Sequence, residues 1–246
     1  MSGTFLALAL ALGGALLSMA VFAILERGRR DADAVRKGSS FLLGGGDFLL
    51  HWFLWAIGPL ERALLRAGAR PDHMNALGAV LGLGSTVLLV RGCLEAAGGA
   101  IALAGVCDVL DGRLARARKA VSPYGKFIDS TLDRFVETAA FLGFAVYFGG
   151  RPGGALVVAA GLGGSLLVSY AQARGETVGV SGSGGLMQRG ERLLLQSLGC
   201  LFDPGLCLWL GLPEGTVLFW VLVVIAIGAL GTAVHRTLRI ARRLRG

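Results

Sequence analysis

An all-α integral membrane fold is what this chain predicts: a six-helix transmembrane core, an interfacial amphipathic helix before it, and an additional N-terminal transmembrane helix. Three observations predict it. Hydrophobic residues make up 54% of the 246 residues and the mean hydropathy is +0.67, more than a water-soluble core protein needs. Only 16% of residues are charged, and they gather in short clusters between long apolar runs. The lysines and arginines, finally, fall almost wholly on one side of the layout that those runs define.

The first apolar run covers residues 4–25 and is followed by Arg27, Arg29, Arg30, Arg36 and Lys37. This reads as an anchor helix ending in the cytoplasm. A cleaved signal peptide competes, with Ala20-Val21-Phe22-Ala23 as a cleavage site, but no positive charge precedes the run. Residues 1–37 are therefore expected to be an anchor and basic cytoplasmic loop, and 38–246 the main membrane domain.

Residues 47–68 mix apolar clusters with Asp47, His51, Glu61, Arg62 and Arg66 and carry Trp52 and Trp55, the pattern of a helix lying along the interface. The alternative is a seventh, imperfect span. Six apolar segments follow at about 74–92, 95–112, 134–149, 154–173, 193–211 and 214–235, each approaching the roughly 20 residues that a bilayer core requires. Turn signals at Gly98-Gly99, at Gly149 to Gly153 and at Pro213 separate them. Glycines inside spans, as in Gly78 to Gly82 and Gly161 to Gly164, predict close helix packing, because small residues let backbones approach in lipid.

With the N-terminus outside, only Arg91 and Arg151 of the 24 lysines and arginines fall on the outer side. Segment 108–133 then faces the cytoplasm. The net charge of +8 is accounted for by a basic face meeting anionic membrane lipids, and no aromatic-basic module argues for nucleic acid. Cys93, Cys107, Cys200 and Cys207 have neither metal-ligand spacing nor a secreted disulfide pattern and read as small core residues.

The chemistry concentrates in 108–133. Asp108 and Asp111 are spaced i, i+3, and Asp129 and Asp133 i, i+4, so on helices each pair projects from one face. Ser122-Pro123-Tyr124-Gly125 between them is turn chemistry that lets the second helix return beside the first. Four carboxylates at the edge of an apolar core lose hydration and repel one another, so a cation must compensate. Hard divalent ions with oxygen ligands do so, and two of them would form a phosphoryl-transfer clamp; magnesium is the default and manganese the alternative. The bland reading is a solvated charged loop in which the aspartates pair with Arg113, Arg116, Arg118 and Lys119. Helical phasing of all four, next to apolar spans, argues against it.

Asp108-x-x-Asp111-Gly112-x-x-Ala115-Arg116, eight residues, then Gly125-x-x-x-Asp129-x-x-x-Asp133 resembles the full signature of the CDP-alcohol phosphotransferase family. Every fixed position is filled, and the span layout from about 45 to 240 is similar as well. The resemblance implies that Asp108, Asp111 and Asp129 ligate metal, and that Asp133 ligates it or acts as general base. It implies that Gly112 and Ala115 leave room for the CDP moiety, that Arg116 contacts its phosphates, and that Gly125 lies against the nucleotide. Pro71-Asp72-His73-Met74-Asn75-Ala76-Leu77-Gly78 is similar to the family's Pro-Asn-x-x-Thr-x-x-Gly nucleotide segment, with Asp72 in place of Asn and Asn75 in place of Thr. Pro71 with Asp72 reads equally well as a plain helix start.

The implied reaction moves a phosphatidyl group from a CDP-lipid such as CDP-diacylglycerol to the hydroxyl of a small alcohol, releasing CMP. For the acceptor, Ser169 to Glu176 and Gly185 to Arg192 resemble phosphatidylinositol-phosphate synthases, which implies an inositol phosphate held by Arg174, Arg189 and Arg192. Those arginines serve equally as positive-inside charge, and glycerol phosphate, as in a phosphatidylglycerophosphate synthase, stays open. Packed small-residue helices and the resemblance imply a homodimer in the inner membrane. Two readings of other classes compete. A transporter would place acids deep within spans, whereas these sit at one end; a non-catalytic scaffold has no need of Asp133.

Overall fold

The computed structural model describes residues 3–25, 46–180 and 185–245. The basic stretch 27–37 and the expected boundary at 37/38 lie outside them. The chain forms two compact units, Met1–Ala67 and Gly68–Gly246.

The first unit contains α1 (Gly3–Leu25) and α2 (Gly46–Arg66). Leu50, Leu54 and Ile57, spaced i, i+4, i+7, are buried on one face of α2, while Phe48, Leu60 and Arg62 are exposed. Trp52 Nε1 donates to Ser18 Oγ of α1 at 2.9 Å, and Phe22 packs on the rings of Phe48 and Trp55 with centroids 5.5 and 5.6 Å apart.

The second unit contains α3 (Pro71–Val90), α4 (Leu94–Ala117), α5 (Pro123–Tyr147), α6 (Gly154–Thr177), α7 (Arg189–Leu210) and α8 (Thr216–Arg245). The principal packing pairs close a ring in the order α3, α4, α7, α8, α6, α5 and back to α3. All six contribute to one apolar core, through Leu89, Ile101, Phe144, Val158, Cys200 and Leu222 among others. These residues come from the end of α3, the start of α4 and the end of α5, so the core fills one end of the ring. The aspartates lie at the other end.

Glycine sets how near the helices come. A Cβ on Gly78 would stand 3.1 Å from Cys107 Cβ, and one on Gly82 would overlap Val136, so α3 lies tight against both aspartate-bearing helices close to their carboxylates. Gly98-Gly99, expected to mark a turn, lies inside α4 instead. A Cβ on Gly98 would stand 2.8 Å from the carbonyl oxygen of Ser197 on α7, so this glycine is there for close approach, and the turn falls at Arg91 to Cys93.

At the core end a buried acid joins two helices. Asp203 of α7, fully buried, accepts from the backbone N–H of Gly215 at 2.6 Å and of Leu218 at 2.8 Å, satisfying donors that the first turn of α8 leaves open. Arg151 stacks over Phe219 at 4.9 Å and donates to Thr216 Oγ1 at 2.9 Å. Cys107, Cys200 and Cys207 are buried and free, as expected of core residues; Cys93, in the α3–α4 turn, is exposed.

Among the described residues, α3, α6, α7 and α8 are long and apolar enough to cross a membrane. The outward faces agree: Val80, Leu83, Val87, Leu208, Trp209, Trp220 and Ile227 are all exposed, an apolar surface suited to lipid and costly in water. The protein is an all-helical, multi-pass integral membrane protein.

Candidate active site

Two helix ends build the site. α4 ends in a left-handed turn: Lys119 takes φ 54°, and Ala120 N–H donates to Ala115 O at 2.9 Å, closing the helix. α5 starts soon after, with Ser122 Oγ as its N-cap accepting from Gly125 N–H at 3.0 Å and Pro123 in its first turn. The segment read from sequence as a turn is thus the cap and first turn of a helix. The tight reversal makes α4 and α5 antiparallel, but both lean on α3, and the space between them is left to the carboxylates.

One oxygen from each of Asp108, Asp111 and Asp129 lies within 4.8 Å of the others. Asp133 adjoins them across a small open cleft, which is also lined by Asn75, Gly78, Ala104 and Arg189. Arg189, the first residue of α7, spans the site: Nη1 lies 2.6 Å from Asp108 Oδ1 and Nη2 2.6 Å from Asp133 Oδ1. A single guanidinium therefore ties an aspartate of α4 to one of α5, the planar fork meeting two carboxylates at once.

Asp129 and Asp133 precede the apolar stretch of α5. Burial pushes the carboxyl of Asp129 above its usual range, as does the negative charge of Asp108, while Arg189 and Arg134 draw it down. Burial raises Asp133 to about 7, against the pull of Arg189, with Asp108 and Asp129 adding to the rise. An all-oxygen set of converging, partly buried carboxylates suits a hard divalent cation such as magnesium or manganese.

The nucleotide candidates divide. Asn75 lines the cleft, whereas Asp72 is exposed at the start of α3 and outside the lining. Gly112 lies beneath the Arg116 guanidinium, since a Cβ there would stand 3.2 Å from Arg116 Nη1. Ala115 is half-buried on the same helix end, and Gly125 is engaged in the α5 cap.

Of the acceptor candidates, Arg189 lines the cleft and Arg174 is exposed at the end of α6. Arg192, also expected to reach an acceptor, is 1% exposed, with its guanidinium drawn inward to Glu137 and Nη2 2.6 Å from Oε1. Arg236 also turns inward, donating to Val168 O at 3.1 Å and to Gln172 Oε1 at 2.9 Å. Glu137 went unread in the sequence although a signal was there: it continues the i, i+4 series from Asp129 and Asp133.

The profile of the CDP-alcohol phosphatidyltransferase domain matches residues 70–241, which contain every one of these carboxylates. The chain belongs to the CDP-alcohol phosphatidyltransferase family. Among curated relatives of this phosphatidyltransferase, a phosphatidylinositol phosphate synthase of Streptomyces avermitilis is 34% identical over 225 residues, covering 89% of both chains. One of Mycobacteroides abscessus is 34% identical over 182 residues, covering 72% of this chain and 81% of the relative. Among solved structures, the Mycobacterium tuberculosis phosphatidylinositol phosphate synthase with CDP-DAG bound is similar at a TM-score of 0.63 and 29% identity, over 74% of this chain and 92% of that one. The same enzyme in complex with manganese and citrate gives a TM-score of 0.64 at 28% identity, over 74% and 87%. As a member of the family, this phosphatidyltransferase is a CDP-alcohol phosphotransferase of phospholipid biosynthesis.

Proposed function

We propose that the protein transfers a phosphatidyl group from CDP-diacylglycerol to a hydroxyl of inositol phosphate, releasing CMP. The observation that carries the proposal is the convergence of Asp108, Asp111 and Asp129 within 4.8 Å beside Asp133. The relatives named for phosphatidylinositol phosphate synthesis support the choice of acceptor.

In this reading Asp108, Asp111 and Asp129 hold divalent cations, two in number and by default magnesium, with Asp133 as ligand or base. Bound there, the cations would neutralise charge developing on the phosphoryl oxygens. Asp133 accepts the proton of the acceptor hydroxyl on a carboxylate oxygen as that hydroxyl attacks the lipid-side phosphorus. The new O–P bond forms as the bond from that phosphorus to the bridging oxygen breaks, and CMP leaves with the electron pair. Arg189, bonded to Asp133, aims the carboxylate and favours its ionised form against the opposing pull of burial.

Gly112, Ala115, Arg116, Gly125, Asp72 and Asn75 surround the CDP moiety, with Arg116 on its phosphates. Arg174 and Arg189 face the acceptor phosphate. We further infer that α4 and α5 cross the membrane with the other four helices of the ring, that the site faces the cytoplasm across the inner membrane, and that the enzyme is a homodimer.

The test is CMP release by purified protein given CDP-diacylglycerol, magnesium or manganese, and a panel of alcohols. Release stimulated by inositol phosphate above all others is expected. Preference for glycerol phosphate would replace the acceptor, and no acceptor-dependent CMP at all would remove the reading.

A further inference from the structure

The two ends of the ring are fastened by different means. At the core end the joints are buried and grip backbone. Asp203 of α7 gives Oδ2 to Gly215 N–H and Oδ1 to Leu218 N–H at the start of α8, and Cys207 Sγ donates to the same Oδ1 at 3.4 Å. Gly215 takes φ 84°, and a Cβ there would stand 3.0 Å from Tyr147 Oη, so the start of α8 is seated on the last residue of α5. From the α5–α6 turn, Arg151 donates to Thr216 Oγ1, which itself donates to Pro213 O at 2.6 Å. Gly154, the first residue of α6, leaves no room for a Cβ against Phe148 O. Four helices thus meet in one layer, which Asp203 cannot leave without stranding a charge and two backbone donors.

Away from that layer the helices divide into two groups. α6 and α8 stay paired along their length: a Cβ on Gly164 would stand 2.9 Å from Leu230 N, and one on Gly175 2.8 Å from Ile240 Cδ1. α5 and α6 come equally close where Gly161 meets Phe141, but nearer the aspartate end they are joined by Lys126 and Glu176, 3.7 Å apart and 77% and 48% exposed. Such a pair exchanges its partner for water at little cost. α8 behaves likewise toward α7. Gly199 of α7 packs on Leu218 and Val221 at the core end, whereas at the aspartate end Gly228 and Thr232 meet Met187 of the connecting segment.

A pair of rods held fast at one end and lightly at the other moves by tilting about the fast end. Gly154 and Glu176 lie about 33 Å apart along α6, so a tilt of about 5° at the core end carries Glu176 about 3 Å. That is enough to part it from Lys126 and widen the approach to the cleft.

We propose that α6 and α8 move as one body about the core end, with Asp203 and Arg151 as the pivot, opening the α5–α6 seam at the aspartate end to admit substrate and closing it on the complex. The proposal rests on the reading of the cleft as the CDP-lipid site. The test is the width of distance distributions between nitroxide pairs, read by double electron–electron resonance in a cysteine-free background with labelled chains diluted among unlabelled ones. A pair at Tyr124 and Ala173, across the seam at the aspartate end, should be broad without ligand and narrow with CDP-diacylglycerol and magnesium. Pairs at Val146 and Leu156, across the core end, and at Ala173 and Arg242, within the moving body, should be narrow in both states. Equal widths at the two ends of the seam overturn the pivot, and a broad Ala173–Arg242 distribution overturns the single body.

Asp203→Asn keeps the shape and withdraws one acceptor. It should broaden the Val146–Leu156 distribution and lower kcat/KM for CDP-diacylglycerol several-fold; an unchanged distribution overturns the role of Asp203. Should that variant fail to fold, Arg151→Gln decides the matter by the same broadening or its absence. A wild type that releases no CMP with any acceptor removes the substrate reading alone, and the widths in the unliganded protein still judge the pivot.

Discussion

Asp133 sits between opposed influences, burial and two like charges pushing its carboxyl up and Arg189 drawing it down, with burial prevailing at about 7. A native state that binds this proton more tightly than the unfolded chain, where the ordinary value is 3.8, loses stability as pH rises from about 4 to about 7. In chelator, Tm should therefore fall over that interval, and Asp133→Asn should flatten the fall. Added Mn²⁺ should raise Tm more at pH about 7.5 than at about 5, because the ionised carboxylates bind it. If Asp133 is the base proposed above, Asp133→Asn should also lower kcat by roughly 10²- to 10⁴-fold while CDP-lipid binding survives, since the variant keeps a similar shape without a proton acceptor. Retained turnover would clear Asp133 of the base role. Lys119 tells a simpler story. It occupies a left-handed position with φ 54°, where a side chain is strained, so Lys119→Gly should raise stability by about 0.5–1 kcal/mol in thermal or denaturant unfolding.

For the helices, the decisive contacts are those of α3 with α4 and α5. Gly82 leaves no room for a Cβ against Val136, which lies one turn beyond Asp133 on α5. Gly82→Ala should cost about 1–3 kcal/mol by forcing α3 from α5. Pairing it with Val136→Ala should recover part of that loss, giving a favourable coupling in a double-mutant cycle; strict additivity would show that the two positions do not touch. The i, i+3 and i, i+4 spacings already showed which carboxylates share a face, and Ser122 with Pro123 announced a helix start. Gly98-Gly99 misled, because a glycine pair serves a turn and a close helix crossing alike, and only the neighbour at Ser197 separates the two uses.

Taken whole, the ring has an apolar end built around Phe144 and Leu222 and an acidic end built around the four aspartates. Its outer surface is apolar, and the lysines and arginines distribute unequally between its ends, which argues a fixed orientation in the bilayer. Single cysteines at Lys119 and at Gly150, in a background without native cysteines, should label with a membrane-impermeant maleimide from opposite sides, Lys119 only once the cytoplasmic face is opened. Labelling of both from one side would overturn the topology.

Composition, run length and charge clustering were enough by themselves to establish a helical membrane protein, because the demand of a bilayer for apolar, internally bonded segments is written directly into residue order. Helical periodicity likewise revealed the aspartate pairs, a local property needing only neighbours along one helix. What Arg189, Arg192 and Arg236 do was decided by the tertiary structure alone. From sequence the three are equivalent cations beside apolar runs, yet one bridges two aspartates, one is sealed against Glu137 and one grips the backbone of α6. A long, flexible side chain takes its role from whichever groups lie within its reach, and those come from helices far away in the chain.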